Sequence, residues 1–340
     1  MNKRNRLLIG ILSSVIMFIF IIDAQTSLKG AKEGITLCLY TIIPSLFPFL
    51  MFSAIINSVS FGANIPLLRP LGKLCKIPNG SESLLLLGFL GGYPVGAQSI
   101  AQAYKNHALT REDARRMLGF CNNAGPAFIF GMLSPLFTQK STPLLLWTIH
   151  IVSAVIVALL LPGNSNSKCK MMSSDSCSII SVMEKSIKIM AGICSWIVMF
   201  RILITFLSRW VLWALPSQIQ ISIAGLLEIA NGCMALYYID QEGLRFIFAS
   251  LFLNFGGLCV YMQTKSVTNI LGTGMYFPGK ILQCLISLLL SMLVQTIIFA
   301  KEEIFQMPSI VYVFISVLFA ICLMRIKQKN NSRNLAANSV

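Results

Sequence analysis

The 340-residue chain is 56% hydrophobic and only 11% charged, with a mean hydropathy of +0.75. A soluble domain usually carries about 25% charged residues, so this composition argues against a soluble enzyme or a nucleic-acid module. The 27 Lys and Arg against 12 Asp and Glu give +15, which in a polytopic membrane protein reflects basic residues gathered in cytoplasmic loops.

A membrane-crossing helix needs about 20 apolar residues, and eight segments are read as spans. The first, 7–22, follows Lys3, Arg4 and Arg6 and has no small-x-small cleavage pattern before Asp23. It reads as an uncleaved signal-anchor rather than a signal peptide. Segment 35–57 is the second span. The next apolar stretch, 84–104, is interrupted by Gly91-Gly92-Tyr93-Pro94-Val95-Gly96. Glycine and proline free the backbone from the helix ladder, and within a membrane such backbone must be buried in protein or line a cavity. This stretch is therefore expected to be a re-entrant hairpin. Thr110-Arg111-Glu112-Asp113 reads as a capping box, followed by Arg115 and Arg116 as a cytoplasmic anchor.

Spans follow at 117–137, which contains Asn122-Asn123-Ala124-Gly125-Pro126, and at 143–162. Beyond a polar loop, 187–207 is a span with Arg201 in its middle. Stretch 221–240 is interrupted by Glu228-Ile229-Ala230-Asn231-Gly232 and reads as a second re-entrant hairpin. Spans 244–262, with Asn254-Phe255-Gly256-Gly257, 280–299 and 309–325 complete the set. A basic polar tail, expected to be disordered, ends the chain.

The charges support this arrangement. With the N-terminus inside and each hairpin counted as a return, twenty of the 27 basic residues fall inside, Lys280 among them. Six fall outside, and Arg201 alone lies within a span. Residues 35–162 and 187–299 then share one order: span, hairpin, span, span. Each unit crosses three times, so the two have opposite orientation. The expected fold is an all-α polytopic membrane protein of about eight transmembrane helices plus two re-entrant hairpins in an inverted repeat. Its units are a signal-anchor at 1–30, a first repeat at 31–162, a cytoplasmic loop at 163–186, a second repeat at 187–299, a terminal helix at 300–325 and a tail at 326–340. Inverted repeats with interrupted helices are an architecture of secondary transporters.

The runs GFLGGYPVGAQ at 88–98, NNAGP at 122–126 and GLLEIANG at 225–232 resemble the sporulation integral membrane protein family typified by YlbJ. That family belongs to a wider group with nucleoside-recognition Gate domains. The resemblance covers roughly 30–300 and implies a fold distantly similar to concentrative nucleoside transporters. It further implies movement of dipicolinic acid from the mother cell across the outer forespore membrane, while the charge pattern puts both termini in the cytoplasm.

Glu228 reads as the only deep acid: it binds a coupling proton, a sodium ion or the solute, or else braces its hairpin. Arg201 can grip a carboxylate or pair within the protein. Asn122, Asn123, Asn231 and Asn254 serve as solute or ion ligands, or as interhelical hydrogen bonds. Gly91, Gly92, Pro94, Gly96, Gly125, Gly232 and Gly256 give the breaks their shape, and Tyr93 stacks on a ring or packs at a tip. His107 is expected in solvent and His150 in a satisfied packing role. The ten cysteines lack metal or disulfide spacing. No metal, cofactor or nucleic acid is expected. The partners are the bilayer and a small solute, and no motif of an intramembrane enzyme or of an ATP-driven pump is present. The first reading is thus a secondary transporter of a small anionic or nucleoside-like solute. The alternative is a non-transporting membrane scaffold needed for spore formation.

Overall fold

A computed structural model describes residues 3–60, 65–163, 169 and 178–299. The predicted span 309–325, the tail and most of the 163–186 loop's first half lie outside the described residues. Among the described residues every regular element is helical. The first half runs α1 (Lys3–Ile22), α2 (Ala24–Leu37), α3 (Ile43–Ser60), α4 (Arg69–Leu74), α5 (Glu82–Leu90), α6 (Val95–Lys105), α7 (Arg111–Met117), α8 (Pro126–Phe128) and α9 (Thr142–Leu160). The second half runs α10 (Ile179–Trp210), α11 (Ser217–Leu227), α12 (Ile229–Ala235), α13 (Glu242–Phe255), α14 (Gly257–Val267) and α15 (Tyr276–Ile298).

Among the described residues, five stretches are long and apolar enough to cross a membrane: Ala24–Ile55, Thr142–Leu160, Ile179–Trp210, Glu242–Val267 and Tyr276–Ile298. Their burial differs from a soluble protein's at both the surface and the interior. Leu, Ile, Met and Phe lie exposed along α1, α3 and α10, while Asn122, Asn123, His150, Asn254 and Gln283 are fully buried. Apolar side chains outside and satisfied amides inside are what a hydrocarbon surround selects. The chain is an all-α polytopic membrane protein.

The predicted span 7–22 is met only by a shorter apolar stretch, Gly10–Ile22, and three others differ in detail. Segment 35–57 begins earlier, because α2 joins α3 through one π-helical turn at Cys38–Ile42. The apolar count misses α2 because it is amphipathic. Its buried face, Thr26, Gly30, Gly34 and Leu37, follows helical spacing and lies antiparallel against α10, with Gly30 beside Ile202 and Gly34 beside Val198. Segment 117–137 is not one helix. α7 stops at Met117, and α8 restarts only at Pro126, whose ring drives Gly125 to an extended ψ of 156°. Segment 244–262 is likewise divided, because α13 ends at Gly256 with φ +80° and α14 begins at Gly257.

Side-chain clamps mark the two ends of the molecule. At one end Arg116 donates to the carbonyls of Cys75 (2.8 Å), Lys76 (3.0 Å), Ala158 (2.6 Å) and Leu161 (3.4 Å). The Arg115 carbonyl accepts from the Met275 N–H at the start of α15. Arg116, read as a cytoplasmic anchor, is buried, since it satisfies carbonyls at the C-termini of α4 and α9. At the other end Glu242 accepts from the Thr138 N–H (2.9 Å) and hydroxyl (3.1 Å), and Arg245 donates to Ile239 and Leu136 carbonyls. Asp23 there pairs with Arg209 at 3.3 Å and accepts from Trp210 at 3.2 Å.

Candidate functional site

Both interrupted stretches fold back on themselves. In the first, α5 and α6 meet at a tip formed by Gly91–Pro94, in which the Tyr93–Pro94 peptide is cis. The two helices touch backbone to backbone: a Cβ at Gly96 would overlap the Cys121 carbonyl and approach the Gly88 Cα. In the second, α11 and α12 are joined at Glu228 alone. A Cβ at Gly232 would overlap the Gly225 Cα, and one at Gly225 would overlap the Phe252 ring. The helix each hairpin leans on is the broken one that follows it. Cys121 and Phe252 stand 131 residues apart, as do Asn123 and Asn254, and Gly125 and Gly256. The contacts of one half are thus repeated in the other.

A cavity of about 30 Å³ lies where the hairpin ends and the broken helices converge. Tyr93, Gly125 and Phe128 line it from the first half, and Glu228, Ala230 and Gln263 from the second. Leu46 of α3 and Ile193 of α10 close its apolar side. The volume suits about one or two waters or a small ion. Tyr93 is anchored across the halves, its hydroxyl donating to the Leu253 carbonyl at 3.1 Å.

Glu228 is the N-cap of α12. One carboxylate oxygen accepts from the Ala230 N–H at 3.0 Å, and the other from the Asn231 N–H at 2.7 Å and side-chain amide at 2.6 Å. It therefore braces its hairpin and lines the cavity at once, and the two sequence readings coexist. Arg201 does not pair with Glu228 directly. Its Nε (2.9 Å) and one terminal nitrogen (2.6 Å) donate to a single oxygen of Glu33, and the other donates to the Asn231 side-chain oxygen at 3.0 Å. A chain of contacts thus runs from Glu33 on α2 through Arg201 and Asn231 to Glu228. Glu228 is not the only acid in the helical bundle: Glu33 lies within the Ala24–Ile55 stretch, and Glu82 is buried at the start of α5, accepting from the Gly80 N–H.

The asparagines of the breaks are occupied by the protein. Asn122 accepts from the Ala97 N–H at 3.3 Å and donates to Thr264 at 2.9 Å. Asn123 donates to the Gly88 and Phe120 carbonyls, and its oxygen accepts from Lys280 Nζ and Gln283 Nε2, each at 3.0 Å. Asn254 donates to the Ser250 carbonyl and meets His150 Nδ1 at 2.9 Å. Because His150 Nε2 accepts from the Ala124 N–H at 3.0 Å, its proton sits on Nδ1. His150 is a buried, satisfied group, as its sequence setting implied. It ties the break in one half to the break in the other.

The structure thus brings Tyr93, Gly125 and Glu228 to the cavity. Asn231 and Gly256 stand directly behind Glu228 and Tyr93, and Gly91, Gly92, Pro94, Gly96 and Gly232 shape the hairpins. Arg201, Asn122, Asn123 and Asn254 lie outside it, in the surrounding network. Sequence reasoning missed four residues. Gln263 follows the apolar run of α14. Glu33 sits among lysines on a helix that reads as polar, and Gln283 is an isolated amide in α15. Lys280 was assigned to a cytoplasmic loop, yet it is buried inside α15. It borders the apolar run 281–299, where local pattern alone gives a charge to the flank. His107 is exposed, as expected, and Thr110 caps α7 by accepting from the Asp113 N–H at 3.1 Å. Among the described residues no cluster of His, Cys, Asp or Glu has the makings of a metal site, and no disulfide is formed.

Over 165 residues the chain is 28% identical to the sporulation integral membrane protein YlbJ of Bacillus subtilis (strain 168). The match takes in 47% of this chain and 40% of that protein, so the chain spans well under half of its relative's length. No family model matches the chain, and no solved structure matches it. These findings place a distant relative beside a multi-pass membrane protein whose broken helices converge on one cavity.

Proposed function

We propose that the chain is a secondary transporter of a small anionic or nucleoside-like solute, coupled to a proton or sodium ion, and that it catalyses no chemical reaction. The observation that carries the reading is the cavity bounded by both fold-back hairpins and both broken helices, with the Glu228 carboxylate in its wall. Backbone left unpaired by helix breaks supplies ligands for polar solutes, and helix ends point partial charges at them. An intramembrane carboxylate is a natural seat for a coupling cation. The hairpins are taken as re-entrant and the end held by Arg116 as cytoplasmic. The distant likeness to a sporulation protein favours a role in spore formation, in the outer forespore membrane, with dipicolinate as the first solute to try.

The second reading is a membrane scaffold for the spore envelope. What favours it is the saturation of Asn122 and Asn123 by protein hydrogen bonds. Purified protein in liposomes, offered dipicolinate and uridine under proton and sodium gradients, separates the two. Transport should appear for one solute and be lost in Glu228→Gln while the variant still inserts. Movement of neither solute under any gradient refutes the transporter reading.

A further inference from the structure

The bundle holds several buried or half-buried basic groups, and all but one are visibly compensated. Arg201 is neutralised by Glu33 at 2.6 Å. Arg116 is wrapped by four carbonyls, three of them close to helix C-termini, where the partial charge is negative. Arg245 is held by the carbonyls of Leu136 and Ile239. Lys280 differs. Its side chain is 1% exposed, and among the described residues no carboxylate pairs with it.

The groups around Lys280 are ones that would solvate an ammonium. Nζ donates to the Asn123 side-chain oxygen at 3.0 Å and to the Gln283 side-chain oxygen at 2.8 Å. Gln283 is oriented independently, because its Nε2 donates to Asn123 and to the His150 carbonyl. Nζ also lies 5.2 Å from the Tyr93 ring centre and 5.9 Å from that of Tyr276. Amide oxygens and aromatic faces all favour an ammonium. Two of its three N–H groups are used, and none of these neighbours carries a negative charge. A lone ammonium in a dry interior is costly, so the amine keeps its proton there only if a counter-charge arrives.

The counter-charge has a place to arrive. Tyr93 meets both: Lys280 Nζ lies over its ring, and the same residue lines the cavity. Glu228 also lines the cavity, its carboxylate occupied by N–H donors of α12. An anion is therefore drawn to the Tyr93 side and repelled from the Glu228 side. Between them the walls are apolar, with Phe128 and Ile193 among them.

We propose that Lys280 is the specificity-determining charge of the site, selecting solutes that carry a carboxylate on a small apolar body when the hairpins part beyond the water-sized cavity seen here. The proposal rests on the transport reading, and it moves the role of anion receptor from Arg201, which Glu33 already neutralises, to Lys280.

The test uses benzoate and its neutral isostere benzamide as probes, with the full chain in proteoliposomes. A unit charge about 8 Å from a carboxylate, at an effective dielectric near 20, favours an anion over a neutral isostere by roughly 10-fold or more, and a charge one ring away acts on this scale. Wild type should prefer benzoate by that factor, Lys280→Arg should keep the preference, and Lys280→Met should bring the ratio close to one. A ratio unchanged in Lys280→Met overturns the proposal. Thermal unfolding in detergent reads binding without transport. Benzoate, and not benzamide, should raise the unfolding temperature of wild type and of Lys280→Arg. If neither probe is transported but benzoate alone still stabilises, the transport reading fails and the assignment of Lys280 stands. If benzoate and benzamide act alike on wild type in both measurements, the assignment fails.

Discussion

At the scale of single residues, what a charge does here is decided by partners far away in sequence. Arg201 is 168 residues from Glu33, and no periodicity links them. Both side chains remain about a third exposed, at 29% and 36%. Their coupling should therefore fall below the 3–5 kcal/mol of a fully buried pair. We expect Glu33→Gln and Arg201→Met each to destabilise the protein in detergent, and the double variant to lose about 1–2 kcal/mol less than their sum. Strict additivity would falsify the pairing. Neighbouring Arg115 and Arg116 make a sharper contrast. Local sequence gives both the same role, yet Arg115 is exposed and Arg116 is buried. Removing Arg116 leaves four carbonyls short of a donor. Arg116→Met should cost about 2–4 kcal/mol in thermal or denaturant unfolding, and Arg115→Met should stay within about 0.5 kcal/mol of wild type. Equal effects would mean that Arg116 is only a surface anchor. The residues that proved legible in sequence were those whose meaning is local. Glu228 beside a glycine break, Thr110 ahead of Asp113 and His150 inside an apolar run all sit as their surroundings implied. Lys280, Glu33 and Gln283 did not, because their meaning lies in which helix packs against them.

At the scale of elements, the breaks were legible and the packing that exploits them was only partly so. Gly91–Gly96, Asn122–Pro126 and Asn254–Gly257 interrupt helices where glycine and proline predict, and Gly225–Gly232 folds back at Glu228. Sequence could not show that Gly88 touches Gly96, or Gly225 touches Gly232, so that each hairpin closes without side chains between its arms. Close approach of this kind is what small residues permit between membrane helices. A methyl group added at these points meets backbone, which cannot rotate away. Gly96→Ala and Gly232→Ala should each cost about 1–3 kcal/mol and lower the yield of folded protein. Gly192 serves as the control, since a Cβ there meets nothing within 4 Å. Gly192→Ala, inside α10, should be neutral or stabilising by up to about 1 kcal/mol. Measured unfolding midpoints that fail to separate Gly192 from Gly96 and Gly232 would count against the tight hairpins. The pattern also explains the misplaced start of the second span. Gly30 and Gly34 make α2 look weakly apolar, while they are the surface by which α10 approaches it.

At the scale of the whole molecule, the arrangement of clamps carries a topology. Cys75, Arg116, Ala158 and the start of α15 meet at one end, whereas Leu136, Thr138, Glu242 and Arg245 meet at the other. The first hairpin leaves from the Arg116 end at Ser81 and, folding back at Gly91–Pro94, returns there by Lys105. Exposed Arg111 and Arg115 enrich that end in positive charge, which by the positive-inside rule makes it the proposed cytoplasmic end. Counting the hairpin as a full crossing would put the Arg69–Leu74 segment and the His107 turn on opposite faces of the membrane. Counting it as a return puts them on the same face. Leu67 is 87% exposed and His107 lies in an exposed turn, so protease-cleavable tags inserted at either point disturb little packing. A third tag at Lys140, also exposed, reports the opposite end. In inverted vesicles the tags at Leu67 and His107 should both be cut and the tag at Lys140 protected. In right-side-out vesicles the pattern should reverse. If the Leu67 and His107 tags are cut from different sides, the hairpin crosses the bilayer. The cavity would then no longer lie between two inverted halves, and the transport mechanism would need another basis.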